Sequence, residues 1–520
     1  MILQPVFKRR DFTDPEAQPE AKILVGSYSW HAIGGPERAE LPASGDPRAL
    51  WELLEWLRAP VEIVDERDES VWWGYVAEAK VSIGAIQCGV SVDGMYNRIA
   101  VAYSNVTPGA ETAGTRATTV WAQDDDSVSI YGKRELLGTL ADALQAVAEG
   151  KRDALLEAFK WPAPTLKVAS GQGNLSASLL CRGWWETLGW VYYDQAAGLE
   201  QHTTTGAQET VGTSAQQRLG QSFSLVADTS WNAYAVHVYA RKVGSPTDAF
   251  KVAVHANDGS APGSELCSGT VDAANLGASF QEVAVTLSPG TVTLEYGTTY
   301  WIVISRTGSL SGSNYYQVTI DDAAGYDRGA LYVYNGATWT ARSPAADLTF
   351  QVTGTWETTR QLEELVGAAG QFLIGVDVID ASGNRSSPYR SGDTTALQVA
   401  QELLEAGVEG GRRLLVEVTR DRRLRIYEEP EFDEYWTEVL VDGNGTPSDR
   451  WGNENVAHTC PVGKWALLRD VIPGTLDVSR MADPSRFFIE RATYNAKTGI
   501  WTPEARGVPS AWDIMRVQDG

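Results

Sequence analysis

The sequence predicts a mainly β fold with α+β parts: a small β-barrel carrying one helix, helix-bearing segments, and an inserted antiparallel β-sandwich. Three observations carry this. From Val71 to Tyr103, aromatic and branched residues recur with the period of two that strands impose. From Phe223 to Val333 the same alternation persists in short runs separated by Gly, Ser and Pro turns. That second region is also compositionally distinct, since residues 215–355 are about 13% charged against 21% for the whole chain. At 520 residues the chain is too long for one core. Its breaks place a barrel over 1–106, a helix-containing α+β segment over 107–201, the sandwich over 202–356, an α+β segment continuing the second over 357–430, and a β or irregular end over 431–520.

Taken in order, Lys22 to Trp30 reads as extended. Asp46-Pro47 opens a short helix with Leu50, Leu53, Leu54 and Leu57 on one face. Val61 to Val64 and Val71 to Val76 are strands around the acidic turn Asp65-Glu66-Arg67-Asp68, and Val81 to Val92 and Arg98 to Tyr103 complete the set expected to close a barrel. Ser127 to Tyr131 reads as a strand. Leu137, Leu140, Leu144 and Val147 then mark one amphipathic helix from Lys133 to about Phe159, stopped before Trp161-Pro162. Strands follow at Thr165 to Val168 and Ser176 to Cys181. Beyond the sandwich, Leu362, Leu365, Val366 and Ala369 give one helix. Asp393-Thr394 caps a second, with Ala396, Val399, Ala400, Leu403 and Leu404 on one face and Gly407 past its end. A hairpin turns at Asp421-Arg422, and further strands are expected near Trp465 to Leu468 and Phe487 to Tyr494.

The chain carries a net charge of −24, which repels phosphate backbones and argues against sequence-specific nucleic-acid binding. Cys88, Cys181, Cys267 and Cys460 form no C-x-x-C pair and read as separate thiols. The five histidines follow no metal-ligand spacing, although His237 and His255 lie mid-strand where they could face one another. Asp124-Asp125-Asp126 reads as a solvated acidic loop and Asp442-Gly443-Asn444-Gly445 as a turn. Gly171-Gln172-Gly173 lacks the third glycine of a nucleotide loop, and there is no G-x-S-x-G elbow. The expectation is therefore a non-enzyme without catalytic residues, metal or cofactor. No apolar run is long enough to span a membrane, and the N-terminus has no signal-peptide core.

Two resemblances point to a role. Val71-Trp72-Trp73-Gly74-Tyr75-Val76 and Asn97-Arg98-Ile99-Ala100-Val101-Ala102-Tyr103, with Arg182-Gly183-Trp184-Trp185 and Arg423-Leu424-Arg425-Ile426-Tyr427-Glu428, resemble strands of the hub and tail-tip proteins of tailed bacteriophages. Leu219-Gly220-Gln221-Ser222-Phe223, His255 to Leu266 and Gly297 to Ile304 resemble a jelly-roll module of secreted and phage surface proteins, commonly taken as carbohydrate-binding. The resemblance implies a virion protein of the phage tail, made in the host cytoplasm, at the tail tip or baseplate. It would be a homo-oligomer, trimeric if hub-like and hexameric if distal-tail-like, with other tail proteins as neighbours and host cell-surface glycans as ligand. The candidate glycan-binding residues are Tyr315, Tyr316, Tyr326, Tyr332, Tyr334 and Trp339. Tyr332 and Tyr334 share the strand face opposite Leu331 and Val333. Trp72, Trp73 and Tyr75 put large side chains on both faces of a barrel strand and are the candidate oligomer interface. The alternative is a free-standing surface lectin or carbohydrate-active enzyme with the sandwich as accessory module.

Overall fold

The computed structural model describes residues 2–106, 115–168, 175–193, 199–225, 230–381, 384–386, 392–407, 412–430, 435–441, 447–448, 460–469 and 486–506. The fold is mainly β with α+β parts, and it divides into two compact units. One comprises Met1–Tyr193, Leu362–Asn384 and Ser391–Gly520; the other comprises Asp194–Gln361 and Arg385–Arg390. Gly171-Gln172-Gly173 and Asp442-Gly443-Asn444-Gly445 lie outside the described residues.

The first unit is organised on the strand Ser70–Ile83. One edge pairs with Pro60–Val64 and then Ile86–Ser91, and the other edge takes Ser176–Arg182. Ser176–Arg182 pairs in turn with Ile33–Ser44, which pairs with Ser27–His31; from there the sheet continues to Arg486–Asn495 and Ile500–Ala505. All these pairings are antiparallel. Two glycines permit them, because a Cβ on Gly74 would stand 2.1 Å from the Arg182 carbonyl oxygen and one on Gly183 would stand 1.7 Å from that of Pro36. Phe7, Leu41, Ile63, Trp72, Val76, Leu179, Ile489 and Tyr494 fill a single core beneath the sheet.

The expected barrel is not closed. Among the described residues Gln4–Phe7 pairs only with Pro60–Val64, and Ile500–Ala505 only with Arg486–Asn495, so the sheet does not close on itself. Apolar surface that closure would bury is covered instead by the helix Pro47–Glu52, whose Ala49 and Leu50 join the same core. That helix starts where expected: the Asp46 carboxylate accepts from the Arg48 and Ala49 N–H groups at 2.9 and 3.0 Å, with Pro47 following.

The segment after Asn105 differs from expectation. Ser127 to Tyr131 belongs to the helix Asp125–Tyr131, and the single helix expected over Lys133 to Phe159 is a strand, Glu135–Ala143, followed by the helix Gln145–Phe159. The Asp124 side chain accepts from Ser127 N–H at 2.9 Å, and Asp125 and Asp126 occupy the first helical turn, where the macrodipole favours acids. The acidic triplet is thus a helix start and not a loop. Leu137, Leu140 and Leu144 have helical spacing, but Gly138 and Thr139 weaken a helix and the segment pairs in parallel with Arg98–Asn105. A parallel pair needs a crossover, and Asp125–Tyr131 lies within it. The fully buried Asn97 ties these parts together, donating to Gly132 O at 2.8 Å and accepting from Arg134 N–H at 2.8 Å. The helices Thr358–Ala369 and Ala396–Glu405 form over the expected residues, but Thr395, not Asp393-Thr394, caps the second through a capping box with Gln398.

The second unit is an antiparallel sandwich. Its six-stranded sheet runs Ala261–Val271, Phe250–Asp258, Tyr300–Arg306, Arg218–Phe223, Leu331–Tyr334, Trp339–Ala341. The nine-stranded sheet centres on Trp231–Val243, flanked by Phe350–Glu357 and Tyr315–Asp321. Leu219, Phe223, Val236, Val238, Val252, Ile302, Val318 and Phe350 meet between them. Several buried polar groups here are matched. Gln221 donates to Asp347 at 3.1 Å and accepts from Leu348 N–H at 2.7 Å, and Arg306 is ion-paired with Asp248. Among the described residues no helix is long and apolar enough to cross a membrane.

Two substitutions test this architecture. Gly74→Ala should destabilise the first unit by roughly 3 kcal/mol, since backbone and not a flexible side chain blocks the added methyl. Asp124→Ala should cost only about 1 kcal/mol, the loss of one cap. Thermal or urea denaturation measures both, and an unaffected Gly74→Ala protein would contradict the close strand approach.

Candidate functional site

The six-stranded sheet packs one face on the core and leaves the other outward. Leu331 is buried and Val333 packs against the core, so strand alternation sends Tyr332 and Tyr334 to the outer face. The register sets Gly220 opposite Tyr332, Arg218 opposite Tyr334, and Tyr334 opposite Trp339. The rings are in contact: Tyr334 and Trp339 lie 5.1 Å apart, tilted by 40°, and Tyr332 stands edge-on to the buried Trp301 at 5.0 Å. The Arg218 guanidinium sits 5.5 Å above the Tyr334 ring. Gly220 forms the floor, because a Cβ there would come within 3.0 Å of the Trp339 ring and 3.2 Å of Pro262. The turn bearing Trp339 is held by Asn335, whose side-chain oxygen accepts from Ala337 and Thr338 N–H at 2.9 and 3.0 Å, and by Tyr334 Oη donating to Gly336 O at 3.1 Å. Tyr332, Tyr334 and Trp339 are each half-buried, so part of every ring faces outward. A strip of fixed aromatic faces with a cationic and amide rim suits a flat, hydroxyl-bearing ligand that stacks through its C–H face.

The other expected tyrosines are not part of this strip. Tyr316 is fully buried in the core against Phe250, its hydroxyl donating to Asp248 O. Tyr326 is buried edge-on to Phe350 and donates to Glu200 Oε1 at 2.8 Å. Tyr315 is half-buried on a strand of the nine-stranded sheet. Tyr315 and Tyr316 are adjacent, so alternation had to turn one inward, and Tyr316 shares its face with the buried Val318 and Ile320.

Trp72, Trp73 and Tyr75 are also internal, which removes them as a subunit contact. Trp72 donates to Ser29 O at 3.2 Å, Trp73 donates to Val418 O at 2.8 Å, and Tyr75 packs against Trp184 and Trp190. The coiled sheet and the segments laid on it supply two buried faces, where a lone small barrel would supply one. His237 and His255 do not face one another. They stand on different sheets, with Val236, Val238 and Val254 in the core between, and they bond to Glu282 at 2.9 Å and Gly263 O at 2.8 Å.

A second concavity was not anticipated. On the nine-stranded sheet a groove of about 470 Å³ is lined by His202, His237, Tyr239, Glu282, Thr319 and Gln351. Tyr239 is exposed, His202 Nε2 lies 3.0 Å from Asp321, and Thr319 Oγ1 is buried without a hydrogen-bond partner. Hydrogen bonds from Ala323 N–H, Gly325 N–H and His202 hold the Asp321 carboxyl below the usual range against the effect of burial. Among the described residues no group of three or more His, Cys, Asp or Glu is placed to hold a metal ion.

The sequence matches no family profile, and no curated protein matches it. Among solved structures, the chain is similar to a clostridial cysteine protease after propeptide cleavage, at 9% identity over 65% of this chain and 73% of that one, with a TM-score of 0.22. It is similar to a family 43 arabinoxylan arabinofuranohydrolase from Bacillus subtilis at 10% identity over 64% and 72%, TM-score 0.15. It is also similar to the infectious bursal disease virus VP2 subviral particle at 9% identity over 65% and 83%, TM-score 0.16. Likenesses this distant carry no argument about function.

The ion pair beside Tyr316 gives a pH test of the sandwich. Burial raises the Asp248 carboxyl, but the bonds from Arg306 and Gly308 N–H outweigh it and hold the carboxyl below its usual 3.8. A carboxylate depressed on folding adds stability that is complete above its unfolded value and is lost as pH falls through the folded one. Thermal midpoints should therefore drop below about pH 4, and Asp248→Asn should lower the midpoint at pH 7 while flattening the acid limb. An acid limb as steep as in the parent protein would contradict this.

Proposed function

We propose that this chain is a structural component of a phage tail tip or baseplate, of hub or distal-tail type, and that its sandwich binds host-surface glycans. The sequence resemblances of the two units support the reading. The observation that carries the adhesion half is the strip of Tyr332, Tyr334 and Trp339, three partly exposed rings fixed on the outer face of a sheet whose other face is packed. Lectin-type recognition uses such faces because a sugar ring offers C–H groups to an aromatic plane and hydroxyls to neighbouring polar groups. For assembly, the open edge at Ile500–Ala505 is the natural contact, since it presents backbone groups to a neighbouring copy or another tail protein, whereas at Gln4–Phe7 the Phe7 N–H and C=O are taken by the Gln18 side chain and Pro5 has no N–H. The ring would be a trimer in a hub and a hexamer in a distal-tail protein.

A free-standing lectin is the second reading, favoured by the groove around Tyr239, which offers a polar sugar site without any need for assembly.

Negative-stain microscopy of the full-length protein and binding to host-envelope polysaccharide separate the two. Rings are expected, and changing Tyr332, Tyr334 and Trp339 together to Ala should leave the rings and weaken polysaccharide binding at least about tenfold, or roughly 1.4 kcal/mol. Monomers whose binding is lost with Tyr239→Ala but kept in the triple variant would support the second reading against the first.

A further inference from the structure

The first unit contains a cavity of about 1030 Å³. At its wall Arg58 is 4% exposed. Its Nη2 donates to Ile130 O at 3.2 Å, while Nε and Nη1 are buried and have no partner. A buried guanidinium with idle donors is costly, because one hydrogen bond to a carbonyl does not repay desolvation of the charge. Burial, with Arg10 and Arg422 adding repulsion, pushes the Arg58 guanidinium down to about 10. The carboxylate whose charge acts on Arg58, Asp11, is turned to Thr13, accepting from its N–H at 3.0 Å and its hydroxyl at 2.6 Å.

The backbone around Arg58 is strained in a concerted way. Arg58, Phe12 and Arg422 have φ of +65°, +69° and +65°, the left-handed region that side chains other than glycine seldom occupy. They come from distant parts of the chain yet form one stack: the Arg422 guanidinium lies 3.5 Å and the Arg58 guanidinium 5.8 Å from the Phe12 ring centre, and Arg58 also sits 4.8 Å over Phe372. Strain collected at one place marks a feature retained for something other than stability.

We propose that this cavity is a binding site for a monocarboxylate with an aromatic or aliphatic body, its carboxylate answering the free donors of Arg58. The idle donors of Arg58 select an anion. The lining carries four basic and four acidic side chains and is neutral as a whole, so nothing in it balances a second negative charge, and a phosphate dianion would meet the acids of the rim. The apolar body is selected by Phe12, Trp56, Ile130 and Phe372, and by a volume several-fold larger than a carboxylate alone would occupy. The carboxylate could belong to a small molecule or to the chain end of a partner protein, which share this chemistry.

Calorimetry on the full-length protein tests the site with 3-phenylpropionate, 3-phenylpropionamide, phenyl phosphate, and a short peptide ending in Phe with a free or an amidated C-terminus. The acid should bind at least about tenfold more tightly than its amide, or roughly 1.4 kcal/mol, and Arg58→Gln should abolish that preference while Arg58→Lys retains part of it. If Arg58→Gln fails to fold, the acid-against-amide contrast in the parent protein, read also as a rise in thermal midpoint with the acid alone, still decides. Tighter binding of the free-ended peptide than of 3-phenylpropionate assigns the site to a partner's chain end, and the reverse to a small molecule. Equal binding of acid and amide, no binding of any acid probe, a preference for phenyl phosphate, or an unchanged preference in a folded Arg58→Gln protein would each overturn the proposal.

Discussion

The first unit depends on one strand being held by backbone on both sides. Ser176–Arg182 lies between Ile33–Ser44 and Ser70–Ile83, so strands from early in the chain become one sheet only when this later segment arrives. Glycine at 74 and 183 is what allows main chain to meet main chain there. The same segment then runs into the turn Trp184–Trp190, and its tryptophans build an aromatic layer. Trp184 contacts Phe12, Tyr75 and Phe372, and Trp190 contacts Tyr75 and Phe372. Phe12 and Phe372 are the rings on which Arg58 rests, so the strand that completes the sheet also sets the walls of the arginine cavity. Its long-range pairings carry a closure cost in chain entropy that only the shared core beneath the sheet can offset.

The sandwich is built on a different economy. Its core is almost wholly apolar, and the few buried polar groups are used as pins: Gln221 to Asp347 and Leu348, Arg306 to Asp248, and Tyr326 and Arg328 to Glu200. A buried polar pair is neutral at best against an apolar one of equal shape, but breaking it leaves a charge or donor stranded, so such pairs select one register over others. That matters on the outer face, where Tyr332, Tyr334 and Trp339 share a surface only in the observed pairing of Arg218–Phe223, Leu331–Tyr334 and Trp339–Ala341. A slip of one residue would turn the tyrosines into the core.

Much of this was legible where the determining forces are local. The Asp46-Pro47 cap, the spacing of Leu362, Leu365 and Val366, and the alternation through Leu331 to Tyr334 each specify their element within a few residues, and each element formed. What was not legible depends on distant partners. Leu137 to Leu144 carries a helical pattern and becomes a strand because Arg98–Asn105 offers a parallel edge. The barrel stays open because closure is decided by which edges meet, and no local pattern encodes that. Trp72, Trp73 and Tyr75 looked too large for one interior, yet segments around Ser29, Val418 and Trp184 cover them. The arginine cavity was invisible for the same reason, since Phe12, Arg58 and Arg422 are unremarkable one at a time and meaningful only when stacked.

The adhesion reading is tested most directly by hydrogen–deuterium exchange on the full-length protein with and without host-envelope polysaccharide. The account predicts slowed exchange concentrated in Arg218–Phe223, Leu331–Tyr334, Trp339–Ala341 and the turn through Asn335, with the nine-stranded sheet unchanged. Protection confined to the groove strands Trp231–Val243 and Tyr315–Asp321, or no change at saturating polysaccharide, would contradict it.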